Sequence, residues 1–350
     1  MDYKQLTLFE NDDYKVETET KEQIKEASKE KKISVISERI IDEFGTLQIP
    51  FIDCNYDLVY PQIVSILPSE KISFVEFGFE ESIACELICA SICHQINWDF
   101  LRKAVFDKTK KSTLWLNCEC LSTISGADIY EMLKSYDKKD RIRAEERAEL
   151  LRQVGKTICE IGNYSDIFFD SNSKLLSYED IRNHLLSCTT FSKDPSEKKF
   201  QLLLQKLSNL HRLKDLNLYY KPAIDYHLVR CYLRRGLIFP KTQYAERFIS
   251  NPIIQRKEST VGALRQLCSE VLEQICWFTS LNTSSVNLVE WHIGRSICTQ
   301  ENPDCFLQGK NSVWIKKFFQ KCPFYDSCAA CQYRKDYLAL QEPTYDGTSY

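Results

Sequence analysis

The sequence predicts an all-α protein, because apolar residues recur at helical spacing over most of the chain and strand signals are few. In addition, residues 80–96 are apolar on most sides, which is typical of a helix buried in a core. The other segments with helical spacing are residues 33–44, 127–161, 178–186, 197–210, 224–237, 260–279 and 285–297. The 350 residues are enough for one large domain or two smaller ones.

The composition is that of a globular protein. Apolar residues make up 43% of the chain, and no apolar run approaches the roughly 18–20 residues of a membrane span. The first residues contain no apolar signal segment, so we expect a cytoplasmic protein without membrane contact and without a disulfide framework among its sixteen cysteines. Because the net charge is −3, any DNA contact would need a local basic face.

Residues 1–33 are rich in Lys, Glu, Asp and Thr and predict a flexible charged tail. Within it, residues 5–9 read QLTLF and resemble the short peptide by which bacterial replication and repair proteins bind the sliding clamp. Leu6, Leu8 and Phe9 would enter an apolar groove of the clamp, and Gln5 would fix the orientation. The alternative is that these residues cap the folded body.

Five cysteines in the first half of the chain are interpreted as structural. Cys85, Cys89 and Cys93 fall at i, i+4 and i+8 on one stripe of a helix, where small buried thiols are the common explanation. Cys118 and Cys120 have no neighbouring cysteine pair and are also expected to be structural.

The centre of the 127–161 segment reads KKDRIRAEERAELLRQV and alternates in charge, which predicts a solvated helix face. Its arginines could touch phosphates, although nothing local requires it. They are Arg141, Arg143, Arg147 and Arg152.

A dense group of five cysteines lies near the C-terminus. They are arranged as Cys298-x6-Cys305, then sixteen residues, then Cys322-x5-Cys328, followed by Cys331. Thiolates are soft ligands that select zinc or iron–sulfur clusters, and a set of four fits either. The first gap of six exceeds the usual two to four of zinc sites, whereas Cys328 and Cys331 have zinc-like spacing. Either of these two can be the fourth ligand.

The residues around these cysteines resemble a known family. Residues 294–299, GRSICT, and residues 303–305, PDC, are similar to the start of the cluster loop of endonuclease III-like DNA glycosylases. That family uses C-x6-C-x2-C-x5-C, and this chain keeps the gaps of six and five but has sixteen in the middle. The resemblance implies a [4Fe–4S] cluster, with zinc as the alternative. The implied ligands are Cys298, Cys305, Cys322 and Cys328, with Cys331 as the alternate.

The longer middle gap holds a basic and aromatic insertion, GKNSVWIKKFFQK, at residues 309–321. In the family this loop offers basic residues to the DNA backbone, which implies that Lys316 and Lys317 bind DNA. The alternative is a helix that packs its aromatic residues inward.

Residues 222–230, PAIDYHLVR, resemble the family segment in which an Asp caps a helix and faces the base pocket. Asp225 takes that position, Tyr226 replaces a Thr, and His227 and Arg230 are retained; the resemblance implies that Asp225 is catalytic and that Arg230 contacts DNA. A carboxylate suits this chemistry, because breaking an N-glycosidic bond builds positive charge on the sugar. The alternative for Asp225 is an ordinary N-cap, and both roles can coexist.

Two further features bear on the resemblance. Gln95, at the end of residues 91–98, takes the position of a family glutamine that fills the gap left by a flipped base. The family's glycine-containing helix–hairpin–helix is missing, and residues 191–199, FSKDPSEKK, are the nearest candidate. There Lys198 or Lys199 could supply an amine for lyase chemistry, although a surface lysine is the commoner role.

The resemblance implies a two-lobed, DNA-glycosylase-like all-α fold with a C-terminal cluster loop. Residues 80–215 would form a helical barrel lobe, residues 34–79 and 222–335 a cluster lobe, and residues 336–350 a tail. The implied function is excision of a modified or damaged base from DNA. The alternatives are an N-glycosylase of free nucleosides or nucleotides, which the pI of 6.1 and the missing glycines favour, and a non-catalytic iron–sulfur DNA-binding protein.

Overall fold

The computed structural model describes residues 43–46, 55–69, 72–194, 196–250 and 258–342. This part of the chain is mostly helical, as the sequence predicts. None of its helices combines the length and the apolar character that crossing a membrane requires. The clamp-like peptide from Gln5 to Phe9 and the charged tail lie outside the described residues.

The helices of the described part are short to medium in length. Their bounds are α1 Tyr56–Ile66, α2 Phe79–Ser91, α3 Trp98–Lys111, α4 Cys118–Ser122, α5 Gly126–Leu133, α6 Ala144–Ile161, α7 Tyr178–Ser187, α8 Thr189–Ser192, α9 Lys198–Leu207, α10 Tyr226–Arg235, α11 Gln243–Ser250, α12 Glu258–Thr279, α13 Thr283–Ser296 and α14 Ala329–Gln332. A 3-10 helix, His211–Tyr219, follows α9.

Two short strands interrupt the helical pattern. Strand β1, Phe44–Thr46, pairs antiparallel with β2, Ile238–Pro240, in the register Phe44↔Pro240. The helix predicted over residues 33–44 therefore does not extend through Phe44, and residues 33–42 of that segment lie outside the described residues.

The buried residues form two hydrophobic cores. The first takes its residues from Phe74 to Leu216, and we call residues 72–216 the central lobe. The second combines Phe44 and buried residues of α1 with residues from Ile224 to Leu340, and we call these parts the cysteine lobe. The chain therefore leaves the cysteine lobe after α1, builds the central lobe, and returns at residue 224.

Helix α2 runs through the middle of the central lobe, which explains why its sequence is apolar on most sides. Cys85 and Cys89 are fully buried in the first core, and Cys93 is partly buried against it. The interpretation of this stripe as structural thiols is confirmed. Burial raises the pKa of Cys85 to about 12, so the group stays a neutral thiol.

Helix α6 is not solvated along its whole charged stretch. Arg147 is fully buried and donates hydrogen bonds to the carbonyl groups of His94 and Ile142. The predicted solvated face is therefore wrong at Arg147, because its guanidinium satisfies backbone carbonyls inside the lobe. Arg141 remains exposed.

A disulfide between Cys118 and Cys159 joins α4 to α6. The two helices pack with little space between them, because a Cβ atom at Gly155 of α6 would collide with the backbone of Ser122. Cys118 therefore has the structural role that was predicted, as one half of a disulfide bond. Cys120 is a free, exposed thiol. Among the cysteines that the structure describes, this is a single bridge and not a framework.

The predicted C-terminal tail begins inside the cysteine lobe. Tyr337, Leu340 and Glu342 are buried, and Glu342 forms a two-point ion pair with buried Arg265 over 2.6 and 2.9 Å. Residues 336–342 therefore belong to the lobe, because a carboxylate paired in this way cannot leave without exposing an unpaired buried charge.

Candidate metal centre

Six cysteine side chains line one cavity in the cysteine lobe, which we call the thiol cavity. Helix α10 and the end of α13 form one wall, and segments near residues 303–305 and 322–331 form the other. The cysteines are Cys231, Cys298, Cys305, Cys322, Cys328 and Cys331. The structure thus brings all five predicted cysteines together. Cys231 is a sixth, which the sequence patterns do not predict.

The two ends of the insertion between Cys305 and Cys322 are adjacent in space. The backbone N–H of Cys322 donates to the carbonyl of Cys305 over 2.8 Å. The Asp304 carboxylate fixes the first turn of the insertion, accepting from the N–H of Gly309 at 2.8 Å and the hydroxyl of Ser312 at 2.5 Å. The long middle gap therefore leaves Cys305 and Cys322 side by side.

Cys298 is an acidic thiol of the cavity. Its pKa is lowered to about 6, first by a hydrogen bond from the Cys231 thiol and then by the charges of Arg234 and Arg230, which together outweigh burial. The Arg234 guanidinium lies 3.7 Å from the Cys298 sulfur and donates to the Thr299 carbonyl over 2.6 Å. A buried positive charge of this kind stabilises a thiolate, which is the metal-binding form.

Cys331 lowers the pKa of two other thiols, as Cys231 does for Cys298. Its sulfur lies 3.5 Å from that of Cys305, and hydrogen bonds from Cys331 lower the pKa of both Cys305 and Cys328. Burial raises the pKa of Cys322. Cys331 thus stands between two of the predicted ligands, and both it and Cys328 reach the cavity.

Asp225 begins helix α10 as its N-cap. Its Oδ1 accepts hydrogen bonds from the N–H groups of His227 at 2.8 Å and Leu228 at 3.3 Å. Burial raises the pKa of this carboxyl, but His227, Lys198 and Arg265 hold it below its usual value. The capping role is confirmed. Among the described residues, the hydrogen bonds to this carboxylate all go to Oδ1, so the cap fixes one of its two oxygens.

Arg230 is not placed to contact DNA. It is 2% exposed and donates to the carbonyl groups of Gly294 and Cys298 over 2.7 Å each. Its guanidinium also contacts Nδ1 of His227 at 3.0 Å. Arg230 therefore ties helix α10 to the backbone of Cys298, which corrects the DNA-binding role that the resemblance implied.

The two polar residues predicted in the central lobe differ in their surroundings. Gln95 lies in the turn between α2 and α3 with a φ of 53°, and its Oε1 accepts from Arg141 at 3.4 Å. Lys199 is fully buried, and its Nζ donates to the Ser91 carbonyl over 2.9 Å. The expectation of a surface lysine is wrong for Lys199, and burial lowers the pKa of its amine.

Two alternatives were predicted for the insertion, namely lysines exposed to a partner and aromatic residues packed inward, and it has features of both. Lys316, Lys317 and Phe318 are exposed. Ile315 is fully buried, and Trp314 is partly buried with its Nε1 donating to the Ser296 hydroxyl over 3.0 Å. The lysines are therefore available to a partner, while some of the apolar side chains face inward.

Five partly buried rings form a continuous series between Asp225 and the insertion, which we call the aromatic row. The ring centroids lie 4.1, 6.5, 5.0 and 5.6 Å apart in order. The members, in that order, are Tyr226, His227, Trp291, His292 and Trp314.

Side-chain contacts also connect this row to the turn that carries Gln95. Arg295 lies over the Trp291 ring at 4.7 Å and pairs with Asp99 over 2.7 Å. Asp99 is in the first turn of α3, four residues after Gln95. A short series of contacts therefore runs from the start of α3, just after the Gln95 turn, through Arg295 and Trp291 to His227.

No protein-family model matches the chain, and a comparison with curated proteins finds no similar sequence.

Proposed function

We propose that the chain is an iron–sulfur N-glycosylase that removes a modified or damaged base from DNA. The observation that carries the proposal is the state of Asp225, whose Oδ1 is fixed by two backbone N–H groups and whose Oδ2 would be the oxygen that meets a ligand. The same helix supplies Cys231 and Arg234 to the thiol cavity. One element therefore links the proposed catalytic carboxylate to the proposed metal centre.

The residues of the cavity fit a [4Fe–4S] cluster. Apart from the cysteines, Arg234 and Arg235, its walls are apolar, and the Arg234 guanidinium is the buried cationic neighbour that bound thiolates need. Cys298, Cys305, Cys322 and Cys328 would be the ligands, with Cys331 as the alternate for Cys328. When bound, the cluster would join the end of α13 to the loop segments that carry the other three ligands, and it would offer one-electron redox chemistry.

The sequence spacing of the first two ligands favours a cluster over zinc. Cys298 and Cys305 are separated by six residues, whereas zinc sites usually begin with two ligands two to four residues apart.

The chemistry at Asp225 needs a base to leave the DNA stack and enter the site. As the N-glycosidic bond breaks, the carboxylate stabilises the positive charge that develops on the sugar, and its second oxygen can orient the attacking water. The lowered pKa keeps Asp225 ionised at neutral pH, as this role requires. Lyase chemistry would need a free amine near the sugar, which the buried Lys199 does not offer.

Asp225→Asn tests the proposal on duplexes that each carry one modified base. We expect base release to be lost while DNA binding persists, because Asn keeps the cap and the shape of the side chain but removes the charge. Full base release by the variant would contradict the proposed role. Loss of DNA binding together with activity would leave Asp225 as a structural cap only.

The second candidate is an N-glycosylase of free nucleosides or nucleotides, favoured by the acidic pI of 6.1. Salt separates the two, because each phosphate contact steepens the decrease of log affinity with log salt. A Michaelis constant independent of salt, with activity on a nucleoside, would favour the second candidate.

A further inference from the structure

The aromatic row places five partly buried rings next to one another. Both of its tryptophans are partly buried and pack against the core of the cysteine lobe. Neighbouring ring centroids lie 4.1–6.5 Å apart from the residue after Asp225 to the insertion. An isolated tryptophan edge needs no explanation, but a continuous line of rings ending beside the proposed active site does.

The charges along this line favour an anionic partner. Lys316 and Lys317 are exposed two and three residues beyond Trp314, at one end of the row. In the middle, Arg295 lies over Trp291, and its charge is shared with Asp99 over 2.7 Å. The net positive charge therefore comes from the lysine end.

Rings in a series with flanking lysines are the chemistry that binds unpaired nucleotides. Every base has a face that stacks on an aromatic side chain, and the phosphates between bases pair with lysines. A regular duplex offers its base edges and phosphates but keeps its base faces stacked on one another, so it cannot use the rings. A line of rings therefore distinguishes single-stranded from paired DNA.

We infer that the aromatic row binds a single-stranded nucleic-acid segment and leads it to Asp225. The inference rests on the proposed function and specifies its substrate as unpaired or locally opened DNA. The missing glycine hairpin agrees with it, because a protein that binds unpaired strands does not need that duplex anchor. Trp291 occupies the centre of the row and is the residue on which binding should depend most.

The experiment measures binding of a labelled thymidine oligonucleotide of about twelve residues by fluorescence anisotropy, with the full-length protein. Trp291→Ala should weaken binding about 5- to 100-fold, the usual range for the removal of one base stack. Trp291→Phe should recover most of the affinity and guards against misfolding. Trp277→Ala is the matched control, because Trp277 is 84% exposed on α12 and lies outside the row.

An abasic oligonucleotide of the same length separates stacking from charge. It keeps the phosphates but has no bases, so its weaker binding should not change on Trp291→Ala. The double variant Lys316→Ala, Lys317→Ala should lower the salt slope by about 0.7 for each phosphate that these lysines neutralise. A Trp291→Ala variant that binds the oligonucleotide within twofold of the wild type would overturn the inference, as would an equal decrease in Trp277→Ala.

Base release is followed in parallel, so that the two failures can be told apart. If single strands bind through Trp291 and no substrate loses a base, the proposed function fails and the inference stands. If bases are released from duplexes with the same efficiency in Trp291→Ala, the proposed function stands and the inference fails.

Discussion

Buried cysteines of the two lobes can differ in the direction of their pKa shift. In the central lobe, Cys85 and Cys89 are buried among apolar side chains, and burial raises their pKa. In the cysteine lobe, Cys298 is also enclosed, but a neighbouring thiol and two arginines lower its pKa to about 6. Burial alone therefore does not decide the pKa of a cysteine, because neighbouring charges and hydrogen bonds also act on it.

The largest expected effect comes from removing a thiol in each lobe. Cys322→Ser should reduce the iron content from about four per chain to near zero, because a cluster that loses a ligand is not retained. Cys89→Ala, the matched variant in the central lobe, should keep its iron and lose only about 1–2 kcal/mol of unfolding free energy. Iron analysis and urea unfolding check both, and equal iron in the two variants would remove the distinction between the lobes.

A finer pair of variants concerns the fourth ligand. If Cys328 is the ligand, Cys328→Ala loses iron and Cys331→Ala retains it. The opposite result would exchange their roles. Retention of iron in both single variants and loss in the double variant would mean that either thiol can serve.

The next largest effect concerns the charge of Asp225. Asp225→Asn should lower the rate of base release roughly 100- to 1,000-fold or more, while the unfolding free energy stays within about 0.5 kcal/mol of the wild type. Single-turnover kinetics on a modified-base substrate measures the first, and urea unfolding the second. A large loss of stability with a small change in rate would contradict the catalytic role and leave Asp225 a cap only.

Buried ion pairs provide a third test. Arg235 pairs with Glu290 over 2.7 Å in the cysteine lobe, and Arg102 pairs with Glu86 over 2.9 Å in the central lobe. Glu290→Gln and Glu86→Gln should each cost about 3–5 kcal/mol, because each removes the carboxylate charge that balances a buried guanidinium. Arg235 lines the thiol cavity, so Glu290→Gln alone should also speed the release of iron to a chelator.

The smallest expected effect is a dependence of stability on pH. Burial lowers the pKa of His94 to about 3, whereas an unfolded histidine titrates near 6.5. Between these values the unfolded state binds a proton that the folded state does not, so stability falls as the pH falls below about 6.5. The slope from this residue is about 1.4 kcal/mol per pH unit at most.

Urea unfolding at pH 7, 6 and 5 checks this prediction. The slope should decrease in His94→Asn and stay unchanged in His211→Asn, because His211 is exposed. Equal slopes in the wild type and His94→Asn would show that the histidine does not contribute. His227, whose pKa is lowered to about 4, allows the same test in the cysteine lobe.

The helical class and several local features could be predicted from the sequence because they depend on near neighbours. Asp225 precedes an apolar-periodic run, so its capping role follows from local rules. The Cys85, Cys89 stripe follows from helical spacing in the same way. The two strands could not be predicted, because each is only three residues long and their pairing joins distant parts of the chain.

Other features depend on neighbours that local patterns do not contain. Arg147 and Lys199 have the sequence surroundings of surface charges, yet each donates to a backbone carbonyl of another segment. Cys231 lies 67 residues before Cys298, so no ligand spacing includes it. A signal did exist, because Cys231 shares a helix face with Arg234 and Arg235, which are three and four positions further on.

The central claim is that the thiol cavity holds a [4Fe–4S] cluster. The most direct test is iron and acid-labile sulfide analysis, with a visible spectrum, of protein purified without oxygen. We expect about four iron and four sulfide per chain in a brown protein. One zinc ion per chain without sulfide would contradict the cluster and keep a metal site. Anaerobic protein with neither metal would contradict the claim itself.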